Sequence, residues 1–260
     1  GIGPVLPWRK AGWGSINRML RLPLIVSFLV FLLSLISGIR EYWVLLAFAI
    51  CSVSLTTVFQ ELIRGSRSRH SRGESWGIAF FSLIGANRPR YGGYVVHLSI
   101  IMLAIGITAS SFYDVQKDVV MKPGDSEVLG KYTFKYLEVS EKAYPDRVEE
   151  TAKFEVWMGD KNIGYMHPYR AFYPDFQIAA IRGAIHSTIL EDFYLVPSEF
   201  KEDGQAVFRV LINPLVSWMW AAGPVLILGT LISLSPKNRT QRRRLRLPNV
   251  RVDQNPFGIS

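Results

Sequence analysis

Residues 90–107 read RYGGYVVHLSIIMLAIGI. From Tyr91 to Tyr113 the chain holds no Asp, Glu, Lys or Arg, a run long enough for the roughly 20 apolar residues that cross a bilayer core. It nevertheless carries one imidazole, His97, shortly after the pair Gly92–Gly93. An ionisable side chain inside a membrane helix is costly and points to function.

Outward from this stretch, three more uncharged runs have spanning length: Leu22–Ile39, Tyr42–Gln60 and Asn213–Ser235. Only Arg40 and Glu41 separate the first two, which predicts a tight helical hairpin. Trp43, Tyr113, Trp218 and Trp220 stand at run ends, where amphipathic rings favour the membrane interface. The fold class expected is a polytopic α-helical membrane protein with four transmembrane helices and an inserted extracytoplasmic antiparallel β-sandwich or small β-barrel. Residues 1–113 form the membrane region with helices at about 22–39, 42–60 and 91–113; residues 114–212 form the β domain; residues 213–260 hold the last helix, about 213–235, and a basic tail.

Charge separates these parts. Residues 114–212 contain 12 Lys/Arg and 17 Asp/Glu, a net of −5, while the remainder has 18 and 4, a net of +14. Arg9, Lys10, Arg18 and Arg21 precede the first helix; six arginines from Arg64 to Arg90 lie between the second and third; Lys237 to Arg251 fill the tail. Four crossings put all three clusters on one face, and basic loops mark the cytoplasmic side. The expected location is the cytoplasmic (inner) membrane, with both termini cytoplasmic and 114–212 outside, in the periplasm. The run QRRRLRLP after a membrane helix reads as an orientation or lipid-contact signal, so no nucleic-acid partner is expected. Cys51 is the single cysteine and lies in an apolar run, which leaves no intrachain disulfide. The opening GIGPVLPWR has neither Met nor a signal-peptide pattern; it reads as a processed product or a piece of something longer.

Residues 114–212 alternate in short runs such as YTFKYLEVS and AKFEVWMGD, separated by turn signals at PGD (123–125), GDKN (159–162) and EDG (202–204). That pattern predicts short antiparallel strands. His167 and His186 stand 19 residues apart with no second His or Cys at zinc-site spacing. GxSxG is absent. The domain reads as a docking surface, and His167 and His186 receive no assigned role.

His97 is the chemical candidate. Six residues beyond Tyr91, at about 1.5 Å rise per residue, it lies roughly 9 Å inside the run. On a helix, Gly93, His97, Ile101 and Ala104 share a face, and the glycine leaves space for a flat ligand such as heme or for a neighbouring helix. An imidazole suits axial ligation of heme iron; Arg88 and Arg90 at the edge suit its propionates. The alternatives are an interhelical hydrogen bond from His97 and arginines that only set topology. If ligation is by two histidines, the second must come from another chain or a missing part, since no other histidine lies in one of these uncharged runs.

Four stretches in order, GIGPVLPWR (1–9), NRPRYGGYVVHLSIIMLAIGI (87–107), DVVMKPGDS (118–126) and INPLVSWMWAAGPVLILGTLISLSP (212–236), resemble the C-terminal part of the CcmF-type cytochrome c heme lyases of system I cytochrome c biogenesis. The resemblance covers nearly the whole chain. It implies a membrane heme b held by two histidines, one of them matched by His97, and attachment of heme to CXXCH cysteines outside the cytoplasmic membrane. It implies as partners a heme chaperone, a thioredoxin-like apocytochrome-delivery subunit, apocytochrome c, and an N-terminal part of the same lyase or its split-gene product. That N-terminal part would supply the other heme ligand and the family's tryptophan-rich segment; here the tryptophans are scattered at 8, 13, 43, 76, 157, 218 and 220. The expected function is therefore a lyase segment contributing one heme ligand and a docking domain. The other reading is a non-catalytic membrane scaffold subunit.

Overall fold

The computed structural model describes residues 13–201 and 204–235. The opening GIGPVLPWR, the basic tail and Glu202–Asp203 of the EDG turn lie outside the described residues.

Helix α1 (Trp13–Ile36) and helix α2 (Tyr42–His70) form the expected hairpin, pinned where Ser27 Oγ donates to the Ala49 carbonyl at 3.0 Å. Helix α3 (Trp76–Ala86) is short, and helix α4 (Arg88–Phe112) carries the quoted stretch. Helix boundaries differ from the sequence expectation: α1 starts at Trp13, well ahead of Leu22, and two others shift as well. The segment 61–90, read as a basic loop, is largely helical: α2 continues past Gln60 through the arginine-rich turns to His70, and α3 follows. Arginine is a good helix former, so the end of an apolar run is not the end of a helix. At the other boundary, Asn213 and Pro214 belong to a strand, and the last helix, α5 (Val216–Leu234), starts later than Asn213.

Four described helices are long and apolar enough to cross a membrane: Asn17–Ile36, Tyr42–His70, Arg88–Phe112 and Val216–Leu234. They bury little of their own apolar surface. Leu24, Phe28 and Leu33 of α1 are exposed, as are Leu228 and Leu231 of α5. In a bilayer such surfaces meet lipid, and helices then associate through close packing at small residues. α4 and α5 do so. A Cβ on Gly92 would stand 2.5 Å from Ser233 N and 2.8 Å from Gly229 O, and one on Gly229 would stand 2.7 Å from Val96 N. Further along, Gly106 meets Met219 and the Leu215 carbonyl.

The intervening domain has ten strands: β1 (Val115–Met121), β2 (Ser126–Leu129), β3 (Tyr132–Ala143), β4 (Val148–Met158), β5 (Lys161–Met166), β6 (Tyr169–Tyr173), β7 (Ile178–Arg182), β8 (Ala184–Ser187), β9 (Glu191–Phe200) and β10 (Ala206–Pro214). They form two antiparallel sheets, β1-β10-β9-β8 and β2-β3-β4-β6-β7, with β5 also on β4. This is the expected sandwich. Alternation in YTFKY sends Tyr132, Phe134 and Tyr136 inward, each fully buried, until a bulge between Tyr136 and Glu138 breaks the register. Across the interface Phe193 stacks on Tyr132 with ring centroids 4.4 Å apart, and Phe208 meets Phe154 edge-on at 4.7 Å. The stretch AAIRGAIHSTILEDFYLV (179–196) runs through β7, β8 and β9. Gly183 separates the first two because a Cβ there would meet Val196 at 2.9 Å.

Candidate functional site

α4 begins where the Arg90 and Tyr91 amides donate to the Asn87 carbonyl, with Pro89 in the first turn, a position whose N–H has no helical partner in any case. From that start the helix places His97 against α2. A cavity of about 230 Å³ is lined by His97, Ile100, Ile101 and Ala104 of α4 and by Ile50, Cys51, Ser54 and Val58 of α2. His97 is partly exposed, and no described side chain or carbonyl hydrogen-bonds to its ring. The wall is apolar apart from the Ser54 hydroxyl, the Cys51 thiol and the imidazole itself.

The two glycines of the quoted stretch divide their work. Gly92 is the close contact with α5, whereas a Cβ on Gly93 would meet nothing within 4 Å. The space that the sequence suggested beside His97 is open, and no atom among the described residues demands glycine at position 93.

Below the cavity lies a charged cluster that sequence reading missed. Glu61, the first residue past the uncharged run of α2, is only 3% exposed. Its carboxylate pairs with Arg64 Nη2 at 2.7 Å and with Arg90 Nη2 at 2.7 Å. Arg90 Nε donates to the Tyr94 hydroxyl at 3.0 Å, and Tyr94 is buried against Val58, Leu83 and Tyr91. Glu61 is thus a buried ionisable side chain within a helix of spanning length, whereas His97 is only partly buried. The one usable signal was the spacing of Glu61 and Arg64, which puts both on one helical face. Arg90 therefore has partners within the chain and retains Nη1 for any ligand. Arg88 lies in the first turn of α4 and also has an interaction within the chain.

Because α2 and α4 run antiparallel, Glu61 meets Arg90 and Val58 meets Tyr94, and the next turns converge on the cavity, where Ser54 and Cys51 join His97 and Ile101. The ion pair thus fixes the register about two turns below the imidazole. His70, the last residue of α2, stacks on Trp76 outside this arrangement, ring centroids 4.6 Å apart.

In the β domain His167 is exposed. It lines a shallow groove of about 520 Å³ with Thr151, Tyr169, Arg182, Gly183, Ala184 and Ile185. The Arg182 guanidinium lies 5.7 Å from the Tyr169 ring centroid, and its hydrogen bond to that phenol raises the arginine further above its ordinary range. His186 lies on β8 opposite Phe193. Among the described residues no three His, Cys, Asp or Glu side chains converge as a metal-ion site.

The cavity fits heme as one wall of a larger site. It offers apolar sides and an imidazole without a hydrogen-bond partner among the described residues, but 230 Å³ is below the roughly 300–1,000 Å³ of complete small-molecule pockets. A site for such a group would need further walls beyond these residues of α2 and α4.

Comparison with known proteins gives a consistent assignment. Residues 112–214 match the family model described as the CcmF C-terminal beta-sandwich. A cytochrome c-type biogenesis protein CcmF from Haemophilus influenzae is 26% identical over 238 residues, covering 90% of this chain and 35% of the relative. CcmF of Escherichia coli is 26% identical over 241 residues, covering 90% of this chain and 34% of its own. That of Pseudomonas aeruginosa is 31% identical over 142 residues, covering 55% and 22%. A solved structure titled Cytochrome c Heme Lyase CcmF shares the fold, with a TM-score of 0.70 at 24% identity over 90% of this chain and 37% of that one. The chain spans about a third of the length of the curated relatives it matches.

Proposed function

We propose that this chain, a C-terminal CcmF-type segment with several membrane-spanning helices, is the heme-holding and docking part of a cytochrome c biogenesis heme lyase. The observation that carries the reading is His97: an imidazole in a membrane helix, without a hydrogen-bond partner among the described residues, facing a cavity that α2 walls on one side.

In this reading His97 presents a ring nitrogen to the iron of a heme b, and the second axial ligand comes from outside this chain. Iron held by two imidazoles supplies a one-electron redox centre. Ile50, Val58, Ile100 and Ile101 keep water from the iron side of the imidazole. Glu61, Arg90 and Tyr94 hold α4 in register, so the ring turns into the crevice and not toward lipid. Gly93 leaves the ligand's flank open, and Arg88 with Nη1 of Arg90 meets the propionates. The arginine-rich end of α2 and α4 faces the cytoplasm by the charge bias of its loops, with both termini on that side. Residues 114–212 then stand in the periplasm, where they dock a heme chaperone, an apocytochrome-delivery subunit or apocytochrome c.

The test is a reduced-minus-oxidised spectrum of the purified complex, wild type and His97→Ala. Loss or displacement of the b-type signal, with the complex still assembled, is the expected result. An unchanged signal removes the ligand role and leaves the scaffold reading, in which the chain only assembles other subunits.

A further inference from the structure

The β-sandwich is tied to the membrane helices at one end of one sheet. β1 follows α4 after Tyr113 and Asp114, β10 enters α5 through Leu215, and the two strands pair with Val115 opposite Ile212. β9 begins at that same end, since Glu191 pairs with Pro214, and Asp192 pairs with Ser187 of β8. The β8–β9 turn, residues 188–190, therefore projects in the direction of the membrane helices.

The turn is fastened to the first turn of α5. The Leu215 amide donates to the Leu190 carbonyl at 2.8 Å, and Ser217 Oγ donates to the Ile189 carbonyl at 2.9 Å. It is also closed on itself: the Thr188 amide donates to the Glu191 carbonyl at 2.9 Å, and the Glu191 amide donates to Thr188 Oγ1 at 3.1 Å. With the backbone so committed, the two side chains at the tip point away from the protein. Ile189 is 76% exposed and Leu190 is 64% exposed. Trp220, one helical turn beyond Ser217, is 79% exposed. On the domain side of the tip, Lys131 Nζ pairs with Glu191 at 3.0 Å, which places a cation just above the turn.

Two aliphatic side chains held out by a rigid turn, at the height where a spanning helix starts, with an aromatic ring alongside and a lysine above, have the composition of an interfacial anchor. We propose that the turn 188–190 is a membrane foot of the β domain, with Ile189 and Leu190 inserted among lipid acyl chains of the leaflet on that side. The consequence is mechanical. The two covalent tethers leave from neighbouring strands, about 5 Å apart, and by themselves form a hinge. A third attachment on β8–β9 fixes the tilt of the domain, and hence the height of its outer surface above the bilayer.

The proposal is independent of the heme reading and has its own test. A nitroxide is attached at Ile189→Cys in the full chain carrying Cys51→Ala, reconstituted in nanodiscs of mixed phosphatidylcholine and phosphatidylglycerol. Collision rates are measured with oxygen and with a water-soluble nickel chelate. Leu228→Cys in α5 serves as the lipid-facing reference and Asp175→Cys as the water-facing one. Oxygen access matching position 228, with nickel access several-fold below position 175, is the expected result. Nickel access equal to position 175 overturns the proposal, because the turn then lies in water. An immobilised label shielded from both reagents also overturns it, because protein then covers the tip. Leu190→Cys repeats the measurement, so that one misfolded variant does not decide it.

Discussion

The two halves of this molecule treat the same kind of side chain in opposite ways. In the β-sandwich, Tyr132, Phe134, Tyr136, Phe154, Phe193 and Phe208 are all fully buried in one aromatic core. In the helices, Phe28, Leu33, Ile78, Phe81 and Leu231 are each more than half exposed. The sandwich faces water and must hide its apolar surface within itself. The helices have a solvent as apolar as their own leucines, so burial offers them little. What holds them together is instead the close backbone contact of Gly92 with Gly229 and the ion pairs of Glu61. Stability in one half rests on area, and in the other on a few specific contacts.

That contrast can be broken by substitution. Phe154→Ala should have the largest effect, about 3–5 kcal/mol as for other buried aromatics, confined to the external domain. Near-UV circular dichroism against denaturant should show the sandwich unfolding early while the helical far-UV signal persists; simultaneous loss of both would mean that the halves are one cooperative unit. Glu61→Ala acts on the other half. Breaking a fully buried pair costs about 3–5 kcal/mol, but the Arg64 and Arg90 side chains are 63% and 41% exposed and can rehydrate, so about 1–3 kcal/mol is expected. Thermal loss of helicity in nanodiscs reads this out. A wild-type melting profile would show that the ion pairs do not hold α2 and α4 together.

The glycine pair sharpens the point at one-residue resolution. Gly92→Ala forces a Cβ to 2.5 Å from the Ser233 amide nitrogen and should cost about 1–3 kcal/mol by overpacking. Gly93→Ala meets nothing within 4 Å and should be neutral or stabilising by about 0.5–1 kcal/mol, since a helical glycine carries that entropic cost. Equal effects in a melting experiment would refute the division of roles between them.

The smallest effect at neutral pH is a titration. Burial raises the Tyr136 phenol to about 12, and burial with the nearby Glu191 raises Tyr132 as well. A folded value above the unfolded one, near 10 for tyrosine, gives stability that is complete below about pH 10 and is lost as pH rises toward the folded value. The sandwich should therefore begin to unfold above about pH 10, with tyrosinate absorbance appearing together with loss of near-UV signal. Tyrosinate formation without unfolding would show that these phenols are reachable in the native state.

Much of the architecture was legible because each signal is local. Alternation in YTFKY identified the inward face of β3, and the four uncharged runs identified the spanning helices. The misses share one cause, which is that a boundary in charge is not a boundary in structure. Glu61 looked like the first residue of a basic loop, yet α2 carries it and the arginines after it as helix. The apolar run Trp76–Ala86 was too short to count as a span, so α3 went unseen. Asn213 and Pro214 lacked charge and were read as helix, although they complete β10 against Glu191 and Asp192.

Hydropathy and charge belong to single segments, so the chain's own composition determined that helices span a membrane around an acidic β domain and that His97 sits within one of them. Distances between segments are properties of pairs, and composition does not contain them. Only the tertiary structure decided that Gly92 and not Gly93 touches α5, that Glu61 holds Arg90 two turns below the imidazole, and that the 188–190 turn comes down next to α5. In RYGGYVVHLSIIMLAIGI, the sequence marked the histidine as costly, and packing against α2 supplied the crevice that it faces.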